Sequence, residues 1–291
     1  MKIIMASHAG FCFGVKRAVD AIENSLKNNP DSEKQIWTIG LPIHNPQEVA
    51  RLQAMGLKVA NDEREVPDNS EVFIRAHGES REVIERLKAR NIKITDMTCP
   101  FVKKAQDLAA ELSSKNYFVI LLGDKNHPEI KGILGHVNNK NNAQVVANAQ
   151  EAESVTRRAK IALISQTTQR EENLIKTAEK LILKAQELHI CNTICKATAE
   201  RQDAARSLVK ENNIDGVILI GGKQSANTSK LRDIIQAEGV DVLWIEDDKE
   251  LEENSKWLIN KNTIGIAAGA STPEWLINKA IQNSKFIIHN S

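Results

Sequence analysis

The feature that most constrains this chain is an alternation. Short apolar runs rich in β-branched residues are separated, almost from end to end, by amphipathic stretches with helical spacing. That rhythm predicts an α/β protein with parallel sheets covered by helices. Strands are expected over 2–7, 35–39, 71–75, 92–95, 117–122, 161–165, 216–220, 240–245 and 263–267. Several of these runs are largely apolar, as strands buried on both faces should be. Phe101, Ala105, Leu108 and Leu112 form one helical stripe, and Leu174, Ala178, Leu181 and Ala185 form another. At 291 residues the chain exceeds the roughly 250 at which a single core tends to split. Two or three compact units are therefore expected, and three strand/helix blocks can be drawn, over 1–99, 100–194 and 195–291, although no strict sequence repeat relates them.

The informative regularity lies at the carboxyl ends of the strands. Cys12, His44, His77 and Cys99 come after the first four predicted strands. His127 and Glu129, then Thr167, then Ser225 and Asn227, and finally Ser271 come after later ones. In open α/β sheets, ligands bind beyond these ends, where helix N-termini also point. The pattern predicts one site assembled from all three blocks.

Charge and hydropathy exclude several function classes. With 39 Lys+Arg against 38 Asp+Glu the net charge is +1, so there is no general field for nucleic acid or an anionic membrane. The longest apolar run, Tyr117 to Leu122, is six residues against the roughly 20 that a membrane-spanning helix needs. Residues 1–6 lead straight into a Gly/Cys-rich turn without the apolar stretch of a secretory signal, so a cytoplasmic location is expected. In a reducing compartment Cys12, Cys99, Cys191 and Cys195 are better read as buried, catalytic or metal-bound thiols than as disulfides.

Two of these thiols share a setting. Cys12 sits between Gly10 and Gly14 in a turn that opens a predicted helix, and Cys99 is followed by Pro100, a residue suited to the first helical position. Helix starts favour a thiolate, and thiolates hold soft metals. Cys191 and Cys195 compete for a third place. Cys195 directly precedes a predicted helix as the other two do, whereas Cys191 follows what reads as a helix end, which favours Cys195. A four-cysteine zinc site uses paired C-x2–4-C spacings, and only one close pair exists here. An iron–sulfur cluster normally takes four cysteines, so three would leave one iron open to substrate.

The other strand exits suit an anion. His44 and His77 lie in turns marked by proline or glycine, the kind of loop that carries function. His127-Pro128-Glu129 places an imidazole and a carboxylate two residues apart at a predicted helix start, a pair able to move protons. Gly221 to Thr228 offers N–H groups, hydroxyls and an amide to phosphate oxygens but is no Walker loop. Ser271 or Thr272 could equally be the N-cap of the following helix. No G-x-G-x-x-G follows an early strand, which disfavours a nicotinamide enzyme. A non-redox binder of a phosphorylated metabolite would explain the polar exits but not three separated thiols at helix starts.

In order along the chain stand Gly10-Phe11-Cys12-Phe13-Gly14-Val15, Ala76-His77-Gly78, Thr98-Cys99-Pro100 and His127-Pro128-Glu129. They are followed by Gln166-Thr167-Thr168, Cys195-Lys196-Ala197-Thr198, Ser225-Ala226-Asn227 and Ala268-Gly269-Ala270-Ser271. This series closely resembles the 4-hydroxy-3-methylbut-2-enyl diphosphate reductase (IspH/LytB) family over nearly the whole chain. The resemblance implies a three-lobed α/β trefoil around a central cavity, enclosing a [4Fe–4S] cluster held by Cys12, Cys99 and Cys195. Cys191 matches no family ligand. The implied reaction is the last step of the non-mevalonate isoprenoid pathway, in which two electrons and protons remove the allylic hydroxyl to give isopentenyl and dimethylallyl diphosphates. Glu129 matches the proton donor, assisted by Thr167, and His127 would orient the substrate. His44, His77, Ser225, Asn227 and Ser271 match diphosphate-binding positions, with Thr198 near the same pocket. A ferredoxin or flavodoxin is the electron donor the family suggests, with neither nucleic acid nor membrane as partner. Ala226 departs from the pattern, since some relatives carry a second serine there.

Overall fold

The computed structural model describes residues 2–28, 34–259 and 261–289. The chain opens with strand β1 (Lys2–Met5) and helix α1 (Phe13–Lys27). Next come β2 (Ile36–Ile39), α2 (Pro46–Ala54), β3 (Lys58–Ala60), β4 (Glu71–Ile74), α3 (Arg81–Ala89), β5 (Lys93–Asp96) and α4 (Pro100–Ser114). The middle stretch runs β6 (Phe118–Leu122), α5 (Pro128–Leu134), β7 (Ala143–Val146), α6 (Ala149–Ala152), β8 (Arg158–Ser165), α7 (Glu171–Ile182), β9 (Ala185–Cys191) and α8 (Lys196–Glu211). The last comprises β10 (Gly216–Ile220), α9 (Ala226–Ala237), β11 (Val242–Ile245), α10 (Asp248–Glu253), β12 (Thr263–Ala268) and α11 (Glu274–His289).

All the strand pairs are parallel, and they form three four-stranded sheets in the orders β3-β2-β4-β5, β7-β6-β8-β9 and β11-β10-β12-β1. The α/β class read from the alternation is therefore the fold observed. The three orders are one topology. In each sheet the first strand of the repeat lies inside, the second forms one edge, the third lies inside and the fourth forms the other edge. In the third sheet the fourth place is taken by β1, so the repeat closes on the N-terminus.

This pairing moves β1 out of the expected 1–99 block, because Ile3 and Ile4 of β1 lie beside Ile264 and Gly265 of β12. Residues 43–54 cluster there as well. Contacts divide the chain into one unit of residues 1–16, 43–54 and 196–291 and another of residues 17–42 and 55–195. A four-residue strand must borrow a sheet, and which sheet it joins is a long-range choice that local sequence leaves open.

Burial follows the pleat. Val217 and Leu219 face α8 and α9 in one cluster, while Ile218 and Ile220 face α11 in another. In the β6–β9 sheet, Val119 and Leu121 pack with Ala105, Ala109 and Leu112 of α4, and Ile120 and Leu122 pack with Leu174, Ala178 and Leu181 of α7. With both faces covered, these strands have no place for the polar alternation of a half-exposed sheet.

Three strands escape the sequence reading, β3, β7 and β9, and all are edges. Ala185, expected on the α7 stripe, opens β9 instead, and Cys191 ends that strand rather than following a helix. The apolar periodicity of α7 runs on through Leu183 without a glycine or proline to stop it, which hides the boundary. No helix among the described residues is long and apolar enough to cross a membrane.

Candidate active site

The repeat assigns the strand exits. Cys12, Cys99 and Cys195 each come after the fourth strand of a sheet, β1, β5 and β9. The anchoring recurs too. Each cysteine N–H donates to the carbonyl two residues beyond the neighbouring third strand: Cys12 to Ala270, Cys99 to Ala76 and Cys195 to Thr167, all at 3.0 Å. Each is half-buried and lies at a helix start, with Cys99 serving as the N-cap of α4 and Pro100 at its first turn. Cys191 differs. It is 8% exposed among Val119, Ile164 and Ala109, and burial pushes its thiol above the ordinary range.

Within residues 17–42 and 55–195 the exits of β6 and β8 meet. Glu129, 2% exposed at the start of α5, accepts from the Thr167 N–H (2.6 Å) and from the Thr167 hydroxyl (2.9 Å). His127 caps α5, its Nδ1 accepting the Glu129 N–H at 3.2 Å. Desolvation lifts the Glu129 carboxyl to about 7, against the opposing pull of the two Thr167 donors. The His77 and His127 rings stand edge to face with centroids 5.4 Å apart.

Within residues 1–16, 43–54 and 196–291 a polar group of another kind assembles. The Ser271 hydroxyl donates to the His44 carbonyl at 3.1 Å, and Thr272 donates to the Ile220 carbonyl at 2.9 Å. Both hydroxyls are thus engaged in tertiary bonds rather than capping α11. A Cβ on Gly222 would lie 2.3 Å from the His44 carbonyl, so only glycine permits that approach. Ser225 caps α9 through the Thr228 N–H, and Asn227, 5% exposed on the first turn, has neither Oδ1 nor Nδ2 hydrogen-bonded among the described residues. Thr198 is buried on the first turn of α8.

Two arginines were not legible as site residues. Arg201 of α8 donates to the Gly10 carbonyl (2.7 Å), two residues before Cys12, and Arg17 of α1 donates to the Thr98 carbonyl (2.6 Å), next to Cys99. Each fastens a thiol-bearing loop from a helix far away in sequence, and no local motif announces that.

The profile of the LytB protein family matches residues 3–285. The chain belongs to the LytB family. It is similar to the 4-hydroxy-3-methylbut-2-enyl diphosphate reductase of Campylobacter hominis, at 43% identity over 283 residues, 97% of this chain and 98% of that one. The Helicobacter pylori protein of the same name is 40% identical over 283 residues, again 97% of this chain and 98% of the other. Among solved structures, one described as (E)-4-hydroxy-3-methyl-but-2-enyl diphosphate reductase, the terminal enzyme of the non-mevalonate pathway, superposes with TM-score 0.71. It is 38% identical, over 98% of this chain and 100% of that one. The Plasmodium falciparum reductase superposes with TM-score 0.88 at 27% identity, over 97% and 87% of the two chains.

Proposed function

We propose that this LytB-family chain is an oxidoreductase that converts 4-hydroxy-3-methylbut-2-enyl diphosphate to isopentenyl and dimethylallyl diphosphates, the last step of the non-mevalonate route to isoprenoids. The overall change adds two electrons and two protons; the allylic C–O bond breaks, one proton leaves with the hydroxyl as water and the other ends on carbon. The observation that carries the reading is Glu129, a buried carboxyl lifted to about 7 and aimed by Thr167, which puts its proton exchange near neutral pH, where a general acid is most useful.

Cys12, Cys99 and Cys195 would hold a [4Fe–4S] cluster. The donor set suits it, since three half-buried sulfurs occupy equivalent places after the fourth strands and thiolates are the ligands such clusters take. When bound, the cluster supplies the electrons and a Lewis acid for the departing oxygen.

The chain's own residues do the rest. Glu129 protonates the leaving hydroxyl, and Thr167 fixes the direction of its carboxyl. His127 orients the allylic end of the substrate from the cap of α5. His44, His77, Thr198, Ser225, Asn227 and Ser271 bind the diphosphate. The open amide of Asn227 and the Ser225 helix start are ready donors to anionic oxygens, which removes the need for net surface charge. A ferredoxin or flavodoxin delivers electrons, and the protein works in the cytoplasm.

Anaerobic purification followed by iron, sulfide and zinc analysis tests the cofactor, and turnover of the diphosphate with a chemical one-electron reductant tests the reaction. About four irons and four sulfides per chain are expected. Stoichiometric zinc without sulfide, or an intact cluster without turnover, overturns the assignment.

A further inference from the structure

Gln166 plays no part in the chemistry above, yet it is 1% exposed with its side-chain amide engaged at both ends. Its Oε1 accepts from the Asp124 N–H at 3.2 Å, and its Nε2 donates to the Thr168 hydroxyl at 3.1 Å. Its main-chain N–H donates to the Leu122 carbonyl at 2.8 Å. It therefore ties the turn leaving β6 to the turn leaving β8.

Those two turns carry the proton-handling pair. From Asp124 the bonds continue, because its carbonyl accepts the His127 N–H (3.0 Å) and its side chain accepts the Asn126 N–H (2.8 Å). His127 accepts the Glu129 N–H, and Glu129 accepts from Thr167, the residue after Gln166. The circuit is closed, and the Gln166 side chain bridges its two turns. Gly123 guards the junction. A Cβ there would lie 2.6 Å from Gln166 Oε1 and 2.6 Å from Ile130 Cδ1.

We infer that Gln166 is a positioning residue, which holds the Asp124–Glu129 turn against Thr167 so that the Glu129 carboxyl stays dry and correctly aimed. The inference rests on Glu129 being the proton donor. A displacement of this kind, remote from the reacting atoms, is worth up to about a hundredfold in rate. Burying an amide that needs a partner at each end, where an apolar residue would fill the space, is otherwise a poor choice.

The test uses the full chain carrying Gln166→Met, which keeps the volume and removes both bonds. Amide hydrogen exchange over residues 123–129 should quicken about tenfold or more while the strands on either side stay protected, a readout independent of any cluster. In the reduced, cluster-loaded protein kcat should fall about 10- to 100-fold with KM nearly unchanged. The alkaline limb of kcat should move to lower pH as water reaches Glu129. Gly123→Ala, which presses on the same amide, should reproduce the pattern, and Gln166→Glu, which keeps the acceptor for Asp124, should restore slow exchange. Unchanged exchange and an unchanged pH limb in both Gln166→Met and Gly123→Ala would end the proposal, as would a loss of melting temperature alone. Full activity in Glu129→Gln would instead remove the donor assignment, leaving the exchange result to judge the clamp by itself.

Discussion

The β6–β9 sheet and the sheet of β10–β12 with β1 share one strand order and one thiol position, yet their inner strand exits are finished in opposite ways. In the first, Glu129 is saturated by Thr167 and shut away from water. In the second, Asn227 is also buried but keeps both amide atoms unbonded among the described residues. The topology fixes where an exit lies, and the residue placed there decides whether its polar atoms are met within the fold, as at Glu129, or left unbonded among the described residues, as at Asn227. An unmet buried amide costs about 1–3 kcal/mol, part of which an incoming anion offsets by accepting from its Nδ2–H.

The thiol position that the sheets share is the easiest to break. Serine at Cys12, at Cys99 or at Cys195 should each abolish iron and sulfide retention to the same degree, whereas Cys191→Ala should keep both. Unequal loss among the three would show that the repeat does not equate them.

The saturated exit should respond in rate. Glu129→Gln is expected to lower kcat by about 10²- to 10⁴-fold while substrate still binds. If Glu129 donates the proton as proposed, wild-type kcat should fall as pH rises through about 7. Stability carries the same signature. The folded-state carboxyl sits above its ordinary value, so its contribution is complete below about 4.5 and is lost as pH rises to about 7. The loss is roughly 1.4 kcal/mol per unit at most, and urea midpoints of Glu129→Gln should lack that slope.

The open exit should respond in binding. Asn227→Ala should raise KM about 10- to 100-fold, the worth of a hydrogen bond to a charged group, with kcat much less affected. Without substrate the same variant should melt no earlier than wild type, since it removes an unpaired buried amide. A marked loss of stability would mean that Asn227 serves the fold.

The smallest effects test the repeat itself, at the edge strands that carry no chemistry. Two residues past β3, β7 and β11 stand Asp62, Asn148 and Asp247, each accepting a backbone N–H of the short helix that comes next. Three residues later Glu65, Glu151 and Glu250 each accept the N–H that precedes the cap. Alanine at any of the three caps should cost about 1 kcal/mol in thermal unfolding and leave turnover untouched.

That recurring Asx-x-x-Glu is an internal repeat written plainly in the chain, and it escapes notice because the elements around it are short and share little sequence. The central strands and the long helices were legible, since 3.6-residue spacing and apolar runs are local signals. Thiols before helices were legible for the same reason, with Pro100 and Pro128 marking first turns. Edge strands such as β9, whose outward residues are polar, resemble the end of a preceding helix until a neighbour pairs with them.

By itself, then, the sequence determined the class, the strand exits and the residue types waiting at them, because these depend on spacing along a few turns of chain. Tertiary structure decided that β1 completes the last sheet, that Cys191 is core while Cys195 stays at a helix start, and that Glu129 meets Thr167 across 38 residues of sequence. It also decided that burial lifts the Glu129 carboxyl to about 7. Burial and long-range hydrogen bonds arise only when distant segments exclude water together, and no window of local sequence contains both partners.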